Sequence, residues 1–178
     1  NITLQGTWYS TNFTIEVRNH LGEKFASNIT GMQVTAGQNL TYDQICNFFN
    51  NATSSLSEVN KDGVPYLFGY EFKGWVAGAV GDTGYDGSYE IITVGGAYVV
   101  PKIATNLCAV FAPAEVKVLL HKNNNSAIGS DPQTLSVVPK YGETVEITAN
   151  PYNLAGYYIN GWMIAPAGET VLTSLQML

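Results

Sequence analysis

Gly69-Tyr70-Glu71-Phe72-Lys73-Gly74-Trp75 returns later in the chain as Gly156-Tyr157-Tyr158-Ile159-Asn160-Gly161-Trp162. The shared frame is Gly-Tyr-x-aromatic/aliphatic-x-Gly-Trp, and a fixed frame used twice marks a repeated folding unit. Its surroundings repeat as well. Ile15-Glu16-Val17-Arg18-Asn19-His20 pairs with Val116-Lys117-Val118-Leu119-Leu120-His121, an alternating strand that ends in His before a polar turn. Val34-Thr35-Ala36-Gly37-Gln38-Asn39-Leu40 pairs with Pro139-Lys140-Tyr141-Gly142-Glu143-Thr144-Val145, a Gly turn followed by an apolar position. The pattern predicts a mainly β protein of two tandem small units, β-grasp-like or sandwich-like. Tyr70 and Trp75 in the first unit, with Tyr157 and Trp162 in the second, are the expected core of the repeated frame.

Segment by segment, residues 1–11 form an N-terminal strand, residues 12–112 the first unit and residues 113–178 the second. Ile2, Leu4, Gly6 and Trp8 alternate with Thr3, Gln5, Thr7 and Tyr9, the period of a half-buried strand. Phe13, Ile15 and Val17 repeat the pattern. Thr41-Tyr42-Asp43-Gln44 has capping-box spacing, and Ile45, Phe48, Phe49 and Ala52 then recur at helical intervals, which predicts one helix over about 41–52. Further strands are expected around the frame at residues 66–80, then at 90–94, 97–100 and 107–111. In the second unit they are expected at 116–120, 134–138, 144–148, 157–164 and 170–178.

Composition narrows the function classes. The apolar fraction of 46% can build a core, while 12% charged residues is about half the usual share for a soluble protein. Net charge is −6, with eight Lys and Arg spread along the chain. Phosphate binding needs a concentrated basic face, so nucleic acid is an unfit partner. No stretch reaches the ~18 apolar residues of a membrane-spanning helix. A chain opening at Asn1 without Met reads as a mature or trimmed segment. The Gly, Asn, Thr and Tyr that replace charge suit an extracellular, cell-surface protein.

Six Asn-x-Ser/Thr sequons occur, at Asn1, Asn12, Asn28, Asn39, Asn51 and Asn124, five of them within the first 51 residues. With 16 Asn and 26 Ser or Thr, chance placement gives roughly two. Glycosylation of an exposed surface and simple Asn/Thr richness are the two readings. Cys46 and Cys108 both fall in the first unit and are compatible with a disulfide or with two buried free thiols.

The order strand, Gly turn and Gly-Tyr-x-Phe-x-Gly-Trp resembles the internalin-type B repeat, a small β-grasp-like module found in tandem on bacterial surface proteins. The resemblance rests on Tyr141-Gly142-Glu143-Thr144, on residues 69–75, and on Thr105-Asn106-Leu107-Cys108-Ala109-Val110-Phe111 as a closing strand. It implies a non-enzymatic surface protein built from repeated units. The first unit departs from the pattern by its helix and by residues 81–100.

Asn1-Ile2-Thr3-Leu4-Gln5-Gly6-Thr7-Trp8 looks like a closing strand with no unit before it to close. At the other end, Leu175 follows Trp162 by 13 positions, whereas Leu107 follows Trp75 by 32. A surplus strand and a deficient unit suggest donation: Ile2, Leu4 and Trp8 of one subunit would complete the second unit of the next, giving a head-to-tail, pilus-like filament. Pairing within the same chain and a cut from a longer array are the competing readings. An adhesin or receptor-binding module that holds a host protein or glycan is the alternative function, using either the loop at residues 81–90 or Tyr66, Tyr70, Phe72, Trp75, Tyr85 and Tyr89 as an aromatic platform. Core packing is the simpler role for those rings.

Catalytic signals are missing from the sequence. His20 and His121 sit at turns without a second ligand or a nucleophile at useful spacing. Asp82, Asp86 and Glu90, interleaved with Gly84 and Gly87, have a faint calcium-loop look, although a solvated hairpin loop explains them equally. A Lys–Asn crosslink from Lys73, Lys102 or Lys117 has no identifying pattern. No enzyme activity and no cofactor is expected.

Overall fold

The computed structural model describes residue 3 and residues 5–6, 11–103, 105–122, 127–148 and 150–162. The chain divides after Ala114 into two compact units. It is mainly β with open sheets and, among the described residues, one helix.

The first unit opens with β1 (Asn12–Ile15) and β2 (Val17–Arg18), followed by β3 (Met32–Thr35) and β4 (Asn39–Thr41). Phe13, Ile15 and Val17 take alternate positions, and Ile15 and Val17 are fully buried, so the sequence alternation becomes one core-facing side. β1 pairs antiparallel with β3, Asn12 opposite Thr35 and Ile15 opposite Met32. Helix α1 (Tyr42–Thr53) starts where the capping box places it. Thr41 Oγ1 accepts the Gln44 N–H at 3.2 Å, and Gln44 Oε1 accepts the Thr41 N–H at 2.9 Å. Ile45, Cys46, Phe49 and Thr53 form its buried side, while the Thr53 hydroxyl donates to the Phe49 carbonyl.

After the helix, β5 (Asn60–Lys61) and β6 (Val64–Pro65) form a hairpin whose turn is Asp62-Gly63, both at positive φ. β7 (Tyr70–Ala77), β8 (Ala97–Val99) and β9 (Leu107–Pro113) complete the unit. β9 is the middle strand of a mixed sheet. It runs antiparallel to β7 and parallel to β2, with Leu107 beside Val17 and Cys108 beside Arg18. Leu107 through Phe111 are all buried, as expected for a strand covered on both faces. β4 pairs with β8.

The core joins this sheet to α1: Ile15, Val17, Val34, Leu40, Ile45, Phe49, Trp75, Leu107, Ala109 and Phe111 belong to one cluster. Its rings meet edge to face, Phe25 to Phe49 at 4.7 Å, Phe49 to Trp75 at 5.8 Å and Phe72 to Phe111 at 5.7 Å. Trp75 Nε1 donates to Cys46 Sγ at 3.5 Å, which satisfies the indole inside the core. The frame glycine has a steric task here. Gly74 sits at a β-bulge with φ +150°, and a Cβ there would lie 2.4 Å from the Ile92 carbonyl oxygen. That approach lets Trp75 and Ile92 exchange both backbone hydrogen bonds, at 3.1 and 2.7 Å. The strand expected at residues 90–94 is reduced to this single bridge.

Among the described residues, the second unit contains far less regular structure than its sequence suggests. β10 (Leu119–Leu120) and β11 (Gln133–Thr134) form a two-stranded sheet, the remains of the strands expected at 116–120 and 134–138. Residues 144–148 form no strand, and neither does the described part of 157–164. The expected strand at 170–178 lies outside the described residues. A small core gathers Leu120, Leu135 and Tyr152, with Val118, Val145, Ile147 and Trp162 packed against it. The Tyr152 hydroxyl donates to the Leu120 carbonyl and accepts the Gln133 N–H at 3.1 Å.

Two turns are common to both units. Thr35 N–H donates to Gln38 Oε1 at 2.9 Å and Gln38 N–H to the Thr35 carbonyl at 3.0 Å. Lys140 N–H donates to Glu143 Oε2 at 2.7 Å and Glu143 N–H to the Lys140 carbonyl at 3.0 Å. The intervening Gly37 and Gly142 have φ of +79° and +85°. The frame itself opens the same way twice. Tyr70 N–H reaches the Leu67 carbonyl and Tyr157 N–H the Leu154 carbonyl, both at 3.0 Å, across Gly69 and Gly156.

The ladders correct one equivalence. Asn12 lies opposite Thr35, and Glu115 lies opposite Lys140. With the Gly37 and Gly142 turns superposed, Asn12 therefore corresponds to Glu115, Ile15 to Val118 and Val17 to Leu120. The sequence pairing of Ile15 with Val116 and His20 with His121 is two residues out. The connection from strand to turn is two residues longer in the second unit, which the His match conceals.

Candidate functional site

The most distinctive surface is an apolar groove on the second unit. Val116, Val118, Leu135, Pro139, Tyr141, Val145 and Ile147 line it, with Lys140, Gly142 and Glu143 at the turn, around a volume of about 380 Å³. Its position follows from the repeat. Val118 and Val145 are half-buried and Pro139 is buried, and they correspond to Ile15, Leu40 and Val34, which are 0%, 1% and 3% exposed in the first unit. There the cluster that buries them also contains α1 and the β7–β9 pair. Among the described residues, the second unit has neither a helix nor a strand in the place of β9.

Backbone groups match this picture. β10 has one strand neighbour, β11, so its other edge meets no strand among the described residues. Along β2 the corresponding edge is the one that β9 occupies, with the Leu107 N–H donating to the Glu16 carbonyl at 2.9 Å. An open apolar groove beside an unpaired strand edge is the geometry that accepts an added strand.

The expected donor residues Ile2, Leu4 and Trp8 lie outside the described residues, as do the sequons at Asn1 and Asn124. Asn12, Asn28, Asn39 and Asn51 are all exposed, on β1, in the segment before β3, on β4 and on α1. Cys46 and Cys108 are both free and buried, so the structure takes the free-thiol alternative over the disulfide. Burial pushes the Cys108 thiol above its ordinary range, which lowers its reactivity.

The frame residues separate. Tyr70 packs against the first core and Trp75 is fully buried in it, whereas Tyr157 is 75% exposed and Trp162 packs against Tyr152 at the edge of the second core. Tyr157 is thus a surface residue, not a core one. Phe72 also packs against the first core. Tyr85 and Tyr89 pack on each other, ring centroids 5.0 Å apart, and Lys61 stands over Tyr66. These contacts do not assemble the six rings into one exposed platform.

Loop 81–90 is organised by its own turns. Asp82 Oδ1 accepts the Gly84 N–H and Asp86 Oδ1 the Ser88 N–H, both at 2.9 Å. These Asx turns make a solvated loop of the proposed calcium loop, and no group of three His, Cys, Asp or Glu stands ready for a metal among the described residues. The loop also has an inward contact that the sequence did not signal. Phe111 N–H donates to the Asp82 carbonyl at 2.6 Å and Tyr85 N–H to the Phe111 carbonyl at 3.1 Å, so the loop covers β9 where β2 has ended. The same role is absent from any motif, because it depends on backbone groups alone.

His20 meets Phe111 edge to face, while His121 Nδ1 lies 3.5 Å from Asp131. Glu16 links Arg18 at 2.8 Å and Lys24 at 2.7 Å, and these cations hold its carboxyl below the usual value. No helix among the described residues is long and apolar enough to cross a membrane. Compared with protein-family models, curated proteins and solved structures, the chain matches none.

Proposed function

We propose that the chain is a non-enzymatic extracellular structural protein, a subunit of a cell-surface filament in which residues 1–9 of one copy complete the second unit of the next. The observation that carries this reading is the groove that the described residues leave where Val118 and Val145 are half-buried, at positions that are sealed in the first unit. Burial of apolar side chains is worth about 25 cal/mol per Å², so a groove of this kind favours an apolar occupant. Ile2, Leu4 and Trp8 supply apolar groups at alternate positions of one segment. Donation from one copy to the next is a heterologous contact, which propagates instead of closing.

Sedimentation of the intact chain beside a chain lacking residues 1–9 tests the reading. The intact chain forms multimers that persist through dilution, and the shortened one is a soluble monomer. A monomeric intact chain, or a shortened chain that still polymerises, overturns the proposal.

A second reading, an adhesin that holds a glycan, draws on Tyr157 and Tyr158. These neighbouring rings of the second unit are 75% and 85% exposed. On that reading the monomer binds an oligosaccharide, and Tyr157→Ala with Tyr158→Ala abolishes the binding.

A further inference from the structure

The closing strand of the first unit supplies a template for the joint, given the filament reading above. In β9, Leu107, Ala109 and Phe111 alternate toward the core cluster and are 0%, 0% and 2% exposed. Asn106-Leu107-Cys108-Ala109-Val110-Phe111 and Thr3-Leu4-Gln5-Gly6-Thr7-Trp8 share one pattern: Leu, then a small residue, then an aromatic, at alternate positions. The acceptor positions correspond too. Ile15, Val34 and Leu40 share a cluster with β9, and their counterparts Val118, Pro139 and Val145 line the open groove. Val17, which runs beside Leu107, corresponds to Leu120 on β10, whose second edge meets no strand among the described residues.

We infer that residues 3–8 of a second copy enter the second unit as a parallel strand in the register of β9, with Leu4 beside Leu120 and Gln5 beside His121. The pairing copies Leu107 beside Val17 and Cys108 beside Arg18. The Leu4 N–H then donates to the Leu119 carbonyl, as the Leu107 N–H donates to that of Glu16. Leu4 and Trp8 fill the groove, with Gly6 between them where β9 has Ala109. A donor in this place supplies the second unit with the strand that holds the first unit together. It also removes an edge that would otherwise recruit strands without specificity.

The test is a full chain carrying Gln5→Cys and His121→Cys, oxidised after assembly and run without reductant. Neighbouring strands lie ~4.8 Å apart, within the Cα separation a disulfide spans. The expected result is a ladder of covalent multimers that collapses on reduction. Cys46 and Cys108 are buried, and each single-Cys variant controls for their background. A crosslink confined to the monomer band means the strand serves its own chain, and overturns the inference. Multimers seen by sedimentation without a ladder leave the filament reading standing and overturn the register. The absence of multimers of any kind takes down both.

Hydrogen exchange on the unsubstituted chain supplies a readout free of folding artefacts. The His121 amide, bonded to the incoming strand, exchanges at least about tenfold more slowly in the assembled chain than in one lacking residues 1–9. Equal exchange in the two overturns the register.

Discussion

Two copies of one frame end in different structures. In both, a glycine at positive φ closes the same turn, with the Tyr70 and Tyr157 amides each bonded three residues back. Beyond the turn they part. The first continues as β7, finds β9 along seven register pairs and buries Trp75 completely. The second forms no strand in its described part, exposes Tyr157 and Tyr158, and leaves Trp162 only partly covered. A local sequence sets a local turn, whereas a strand exists only with a partner, because its backbone groups must bond to another segment. The same motif therefore yields a core in one unit and a surface in the other.

The largest expected effect breaks the comparison at its tryptophans. Trp75→Ala removes the centre of an aromatic core and costs about 3–5 kcal/mol, while Trp162→Ala costs about 1 kcal/mol. Urea unfolding midpoints of the two variants check this. Comparable losses would mean the two cores are equally closed.

The frame glycines come next. Gly74→Ala forces a Cβ to 2.4 Å from the Ile92 oxygen, whereas a methyl group at Gly161 would meet no neighbouring atom within 4 Å. The first substitution costs about 2–3 kcal/mol and the second lies within ~0.5 kcal/mol of neutral. Thermal denaturation separates them.

A smaller effect tests what the units share. Gly37→Ala and Gly142→Ala each place a side chain at positive φ with no neighbouring atom within 4 Å, so each costs about 1 kcal/mol of backbone strain. Unequal costs in denaturant titrations would show that the turns differ in their hold on the chain.

The smallest effect is electrostatic and confined to the first unit. Lys24 and Arg18 depress the Glu16 carboxyl, so the stability it contributes is present above the ordinary carboxylate value. That contribution is lost as pH falls through the lower folded-state value, and amounts to under about 1 kcal/mol. Glu16→Gln removes this part of the acid sensitivity. An unchanged profile between pH 7 and 3 would sink the assignment.

Much of the first unit was legible. The Thr41–Gln44 capping box fixed the helix start to the residue, and the alternation of Phe13, Ile15 and Val17 predicted one buried side. These signals are short-range, carried by side chains three or four positions apart or by strict period two. The second unit was overread for the same reason. Apolar alternation at residues 144–148 states a preference for a strand, but a preference without a partner strand among the described residues leaves an irregular segment along a groove. The two-residue error in matching His20 to His121 arose where the longer connection of polar chain carries no pattern.

The candidate site divides in the same way. The apolar faces of residues 2–8 and of the second unit were visible as sequence, because alternation and hydrophobicity are properties of the chain itself. The sequence alone also determined mainly β structure, the positions of the glycine turns and the helix at its capping box. Tertiary structure alone decided that β9 lies between β2 and β7, that loop 81–90 covers its remaining edge and that Cys46 and Cys108 are both free. It also decided that Ile15 and Leu40 are sealed in the first unit while their counterparts Val118 and Val145 are only half-buried in the second. Each of these depends on which distant segment arrives to satisfy backbone hydrogen bonds and exclude water, and no local pattern of residues encodes that arrival.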